Sequence, residues 1–307
     1  MPPVQLLGLL LLPPLIYLGN PAIALAAGCT CTLLAGKPRY LDPVQVSRIT
    51  LQTAIVLLGL TLNVEKMWAL SADYSVLITG YVLITLATGL LLGKCLRAGS
   101  DSSKLVSAGT AICGGTAVAS LSPILRSPAE QTGSILAIIF ILNAVALFVF
   151  PIIGHWLALD QTTFGLWCAL AIHDTASVVA TTTLYGAEAA EVATTIKLGR
   201  TLWLIPLLLI FSAMAHDRST KLRIPLFIVL FVAASIASST LGLPATLLTP
   251  LKWLSAALLV IALFFIGTDI DRTTLRQIQG KALVQALLLW LAVVPLTLFI
   301  ITRGGFQ

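Results

Sequence analysis

Charge is what this sequence has least of. Asp, Glu, Lys and Arg make up 10% of its 307 residues, where a soluble domain carries about 25%. So few charged groups cannot coat a water-exposed surface, and the 58% of hydrophobic residues exceeds what a soluble fold can hide. Long hydrophilic blocks are missing too, which excludes a separately folding soluble appendage and leaves one membrane domain over residues 1–307. Histidine is scarce, at three residues, and neither H-E-x-x-H nor a G-x-S-x-G elbow occurs, so an intramembrane hydrolase would lack its machinery. No ATP-binding motif is present, so an energy source must be a gradient or a partner subunit. The net charge of +6 is not gathered into a stripe, which argues against nucleic acid. Cys29, Cys31, Cys95, Cys113 and Cys168 lack zinc or haem spacing; they read as small buried thiols, with no metal or cofactor implied.

What is abundant is apolar sequence in runs of roughly 17 to 25 residues, the length a helix needs to cross about 30 Å of hydrocarbon. The fold class expected is an all-α integral membrane protein of ten or eleven transmembrane helices. The runs are 3–18, 21–35, 46–62, 74–92, 105–121, 134–157, 164–185, 192–215, 224–241, 248–268 and 282–300. The first, from Val4, has no basic segment before it and reads as a retained span rather than a cleaved signal. Leu12-Pro13-Pro14 interrupts it, so the first two runs are either two crossings or one hairpin.

Basic residues fix an orientation. With eleven spans, twelve of the eighteen fall on the N-terminal side: Lys37, Arg39, Arg48, Lys94, Arg97, Lys104, Arg218, Lys221, Arg223, Arg272, Arg276 and Lys281. Four, Lys66, Arg126, Lys252 and Arg303, fall on the other, and Lys197 and Arg200 lie within the membrane. The richer side is expected to be cytoplasmic, in a bacterial inner membrane. Residues 53–63, ending Gly59-Leu60-Thr61-Leu62-Asn63, are similar to 261–271, ending Gly267-Thr268-Asp269-Ile270-Asp271. As the third and tenth spans they run in opposite directions, the inverted repeat of many secondary transporters.

Three segments carry chemistry. The fifth span holds Ile112-Cys113-Gly114-Gly115-Thr116, and paired glycines among small polar residues favour a broken helix whose second half presents N–H groups and a positive dipole end to an anion. Close packing through small residues is the competing reading. The seventh holds Ile172-His173-Asp174-Thr175-Ala176-Ser177, with two ionisable groups at membrane depth that suit a proton or coupling ion. The stretch 112–119 aligns with 172–179, as two interrupted spans facing one site. Lys197 and Arg200 open the eighth span three residues apart, on one helical face. They either line a cationic cavity or neutralise Asp174, and Lys197 alternatively snorkels to the headgroups. Glu188 and Glu191 read as loop acids, and Asn143 as a polar group bonding a neighbouring helix.

At these residues, and at Leu57-Leu58-Gly59-Leu60-Thr61-Leu62, Lys197-Leu198-Gly199-Arg200 and Gly267-Thr268-Asp269-Ile270, the chain resembles the YeiH-type family of bacterial inner-membrane proteins, labelled sulfate exporters, within the assembly of sodium/proton antiporters and bile-acid symporters. The resemblance covers nearly the whole chain. It implies discontinuous helices crossing near the midplane; the chain departs in carrying Asp174 where many relatives carry Glu. The function expected is export of a small anion such as sulfate, sulfite or a sulfonate. Cys113, Gly114, Gly115, Thr116, Thr175, Ser177, Lys197 and Arg200 would form the anion site, and His173 with Asp174 would handle the coupling ion. The alternative is a cation/proton antiporter using Asp174, with Arg200 as counter-charge. A lipid bilayer is the surrounding partner, and a homodimer is left open.

Overall fold

A computed structural model of the chain describes residues 3–36, 42–61, 72–214, 226–241, 243–269 and 280–304, with Glu65, Ala69 and Ile278 between them. Among the described residues the fold is all helix, without a strand. The helices are α1 (Pro3–Leu18), α2 (Pro21–Ala35), α3 (Pro43–Gly59), α4 (Ser75–Cys95), α5 (Ser100–Ala111), α6 (Gly115–Leu125) and α7 (Ala129–Trp156). They continue as α8 (Gln161–Ala171), α9 (Thr175–Tyr185), α10 (Ala187–Thr201), α11 (Leu204–Met214), α12 (Leu226–Leu241), α13 (Ala245–Asp269) and α14 (Gly280–Arg303). Each of the eleven apolar runs is one helix, or one interrupted pair in the case of α5/α6, α8/α9 and α10/α11. Among the described residues, five stretches are long and apolar enough to cross a membrane alone: Ser75–Cys95, Gln131–Trp156, Ala187–Met214, Thr246–Thr268 and Gly280–Arg303.

Several sequence expectations lie outside the described residues. They include Lys37, Arg39, Lys66, Arg218, Lys221, Arg223, Arg272 and Arg276 of the charge count, and the polar tails Leu62-Asn63 and Ile270-Asp271 of the proposed repeat.

The contacts divide the chain into two compact units. The first joins Met1–Ala69 with Ile224–Leu275. In it α13 packs on α2 and α3, and α12 on α3. Small residues permit backbone contact: a Cβ on Gly28 would run into the Phe264 carbonyl, and one on Gly267 into the Leu25 carbonyl. Where backbones come that close, hydroxyls bond across, Thr32 to the Thr268 carbonyl at 3.0 Å and Ser255 to the Ala54 carbonyl at 2.8 Å. At the start of the unit α1 and α2 are separate helices, the second begun by the Asn20 side chain, whose oxygen accepts from the Ile23 N–H at 3.1 Å.

The second unit joins Leu70–Arg223 with Arg276–Gln307. Its core is centred on α5, α8 and α10, packed by α4, α7, α9 and α14. Phe150, Trp167 and Trp290 form an aromatic stack within it, with the Phe150 and Trp167 ring centroids 4.2 Å apart. Two expectations need correcting. Cys95 is exposed rather than buried, because it is the last residue of α4, and Cys29 and Cys31 are only half-buried. Glu188 and Glu191 stand in α10 rather than in a loop. A first-turn carboxylate is favoured there by the helix dipole, and Glu188 accepts from the Thr162 hydroxyl at 2.9 Å.

Candidate functional site

The two interrupted spans break at equivalent places, sixty residues apart in sequence. Ala111 and Ala171 end the first halves, and Gly115 and Thr175 begin the second. At the first break Gly114 takes φ +61°, a conformation open to glycine but strained for other residues. A Cβ there would lie 3.2 Å from the His173 backbone carbon, so the two breaks touch. At the second, Asp174 is extended and caps α9: one carboxylate oxygen accepts from the Ser177 N–H at 2.9 Å, the other from its hydroxyl at 2.7 Å.

Each break strands carbonyls at the end of a first half-helix, in a medium without water to solvate them. Helix α10 meets that need. Arg200 donates from Nε to the Ile112 carbonyl at 2.5 Å, from Nη1 to Leu170 at 2.5 Å, and from Nη2 to Ile172 at 3.3 Å and His173 at 3.2 Å. Lys197 Nζ donates to the Ile172 carbonyl at 2.6 Å and to Ala169 at 3.4 Å. Trp290 Nε1 donates to Ala171 at 3.1 Å. Both cations have 0% exposure, so Lys197 does not snorkel. They sit at the negative ends of two helix dipoles, where a buried cation is best compensated. The Tyr81 ring covers Arg200, 5.1 Å from its guanidinium carbon, and the Tyr81 hydroxyl donates to the Thr110 carbonyl at 3.2 Å.

The opposite ends of the breaks differ. Asn143 of α7 donates to the Asp174 carboxylate at 2.5 Å and accepts from the His173 N–H at 3.1 Å, tying both to the bundle. His173 is 1% exposed, and its Nε2 has no hydrogen-bond partner. The Cys113 sulfur faces the Ala117 N–H and the Thr116 side chain. Ile112, Cys113, Gly114, Ile172, His173, Lys197 and Arg200 are buried, whereas Gly115, Thr116, Asp174 and Thr175 are half-exposed. The C-terminal sides of both breaks are therefore sealed, and access is to the N-terminal ends of α6 and α9. With Lys197 protonated, the crossing holds two cations and one carboxylate, an excess of one positive charge.

All ten sequence-selected residues thus come together at the crossing. Ser177 spends its N–H and its hydroxyl on Asp174. Sequence reasoning left out Asn143 from the site, having read it only as bonding a neighbouring helix; its isolation in an apolar run was the available signal. Tyr81 and Trp290 carried no signal, because nothing local distinguishes them from other apolar-belt aromatics. No group of three or more His, Cys, Asp or Glu that would hold a metal is found among the described residues.

The family described as Conserved hypothetical protein 698 matches residues 15–286. The UPF0324 membrane protein GSU2818 of Geobacter sulfurreducens is 39% identical over 280 residues, covering 90% of this chain and 89% of that protein. A UPF0324 membrane protein of Porphyromonas gingivalis is 40% identical over 279 residues, 89% of this chain and 84% of its own, and one of Photobacterium profundum, PBPRB0970, is 36% identical over 288 residues, 94% and 87%. No solved structure matches.

Proposed function

The chain belongs to the Conserved hypothetical protein 698 family of membrane proteins, and from that premise we propose that it is a secondary transporter of a small anion, such as a sulfur oxyanion, in a bacterial inner membrane. Its 307 residues work as one polytopic transporter with a cytoplasmic N-terminus. The observation that carries this reading is the polarity of the crossing: the half-exposed positions are at half-helix N-termini, and the carbonyl ends are closed by Arg200 and Lys197. An anion reaching Gly115 and Thr116 meets backbone N–H groups and the positive end of α6. Lys197 and Arg200 act on it through their field, at one remove, since their donors are engaged with carbonyls. Asp174 and the unpartnered Nε2 of His173 provide the coupling proton or cation with a place to bind.

The half-exposed carboxylate of Asp174 favours a second reading, cation/proton exchange. Proteoliposomes separate the two. Anion transport predicts uptake of radiolabelled sulfate or sulfite that Thr116→Val weakens roughly fivefold in KM, the worth of about one hydrogen bond of 1 kcal/mol. Asp174→Asn would alter its pH or cation dependence while retaining anion binding. Sodium/proton exchange that needs no anion and is abolished by Asp174→Asn would overturn the anion reading.

A further inference from the structure

We infer that the clustered ends of α4, α5 and α14 form a binding site for the phosphate headgroup of an anionic phospholipid, separate from the helix crossing. A cavity of about 510 Å³ opens there, lined by Leu90, Gly93, Lys94, Arg97, Ser100 and Lys104 among others. Lys94 and Arg97 are exposed, as is Lys281, whose Nζ donates to the Arg97 carbonyl at 3.4 Å. The nearby carboxylate, Asp101, is paired with Lys104 at 3.2 Å. Three cations line the concave space and Lys281 stands beside it at Arg97; set against Asp101, the four leave an excess of three positive charges. The first turn of α5 opens into the same cavity through Gly99 and Ser100; no side chain caps it, and its N–H groups and dipole add to the attraction for an anion.

The surroundings point to a lipid rather than a free anion. Helices α4 and α14 are each long and apolar enough to cross a membrane, and the cations stand at their ends, at headgroup depth. Below the charges the surface turns apolar: Leu90 lines the cavity, Leu91 is 65% exposed, and Val284 and Leu288 of α14 are 43% and 44% exposed. A charged head over an apolar foot matches a phospholipid, whose phosphate engages the cations while its chains lie along the two spans. Basic pockets between helices at a membrane surface hold such headgroups, each cation contributing roughly a fivefold gain in affinity.

The test uses the delipidated full-length protein in detergent, titrated with phosphatidylglycerol, with phosphatidylcholine of the same chains, and with inorganic phosphate, while the melting temperature is followed. Phosphatidylglycerol is expected to raise the melting temperature at much lower concentration than phosphatidylcholine, and high salt to weaken the effect. The combined Lys94→Gln, Arg97→Gln and Lys104→Gln variant should need at least roughly tenfold more phosphatidylglycerol, whereas the exposed Lys252→Gln on α13 should respond as wild type. Equal shifts from both lipids, an unchanged response in the triple variant, or a full shift from inorganic phosphate alone would each overturn the proposal. If the triple variant does not fold, the wild-type salt dependence decides: a phosphatidylglycerol shift that persists undiminished at high salt excludes a headgroup site.

Discussion

Removing the Arg200 side chain should be far more damaging than removing that of Lys197, three residues earlier on the same helix. In Arg200→Met the carbonyls of Ile112, Leu170 and His173 lose the donor supplied by the guanidinium, and Ile172 keeps the Lys197 ammonium. A buried polar group left without a partner costs about 1–3 kcal/mol, so three such groups come to about 3–9 kcal/mol. Relief from the cost of burying a guanidinium offsets part of this, and the net loss should still be several kcal/mol, a large share of a typical stability of about 5–15 kcal/mol. Lys197→Met leaves its stronger acceptor, Ile172, with Arg200, and its other acceptor, Ala169, gave up only a 3.4 Å contact. It also removes a buried cation from a site with an excess of positive charge, so its net cost should fall below about 1.5 kcal/mol. Thermal unfolding in detergent, followed by tryptophan fluorescence, measures both. Trp290 is well placed to report, since its indole bonds the Ala171 carbonyl within the same sealed end. Equal losses in the two variants, or an Arg200→Met protein as stable as wild type, would refute the account of Arg200 as the group that closes the two broken helices.

Two further predictions concern the rest of the fold. Gly267→Ala should destabilise the first unit by about 1–3 kcal/mol, because its Cβ meets backbone atoms of α2, among them the Cys29 nitrogen at 2.9 Å, whereas Gly133→Ala in α7 meets nothing within 4 Å and should stabilise by roughly 0.5–1 kcal/mol; paired melting curves test the contrast. Asp160 caps α8 by accepting from the Thr163 N–H at 2.8 Å. Burial pushes its carboxyl up, but the Thr163 hydrogen bonds outweigh that and hold it below the usual aspartate range. A lowered folded-state value means the stabilisation is present above the unfolded value, near pH 4, and is lost as pH falls through the folded one. Asp160→Ala should cost about 1 kcal/mol at neutral pH and show a flatter acid limb in a stability–pH profile, and Asp160→Asn should keep most of the cap while losing the same limb.

Much of this architecture is legible in the sequence because lipid enforces it. A backbone in hydrocarbon must bond to itself, so each apolar run becomes a helix, and an interruption is tolerated only where the protein supplies partners. That is why Gly114-Gly115 and His173-Asp174 mark two breaks correctly. The turn at Leu202 and Trp203 between α10 and α11 had a sequence signal that was passed over: Pro206 has no N–H to offer the Leu202 carbonyl four residues before it, and that carbonyl accepts from the Ile205 N–H at 3.1 Å instead. The spacing of Lys197 and Arg200 placed them on one face without saying what that face meets. Their acceptors are backbone carbonyls at the two breaks and in the last turn of α8, and carbonyls leave no mark in a sequence.

The alignment of the two breaks carries one more step. Gly114 stands where Asp174 stands in the second copy, and Gly115 where Thr175 stands. The position that supplies a carboxylate to cap α9 therefore supplies no side chain to α6. The two helix N-termini, entered through a left-handed Gly114 and an extended Asp174, are thus also unlike in charge: one is occupied by its own anion, and the other has the Cys113 sulfur and the Thr116 side chain beside it. An external anion is repelled by Asp174 at the first and attracted by the dipole at the second. This asymmetry is why the proposed anion belongs at Gly115 and Thr116 rather than at Thr175 and Ser177. Under that proposal the two copies take separate tasks, coupling at the carboxylate and binding at the glycines, and of the eight aligned positions only Ile112/Ile172 and Val118/Val178 are alike.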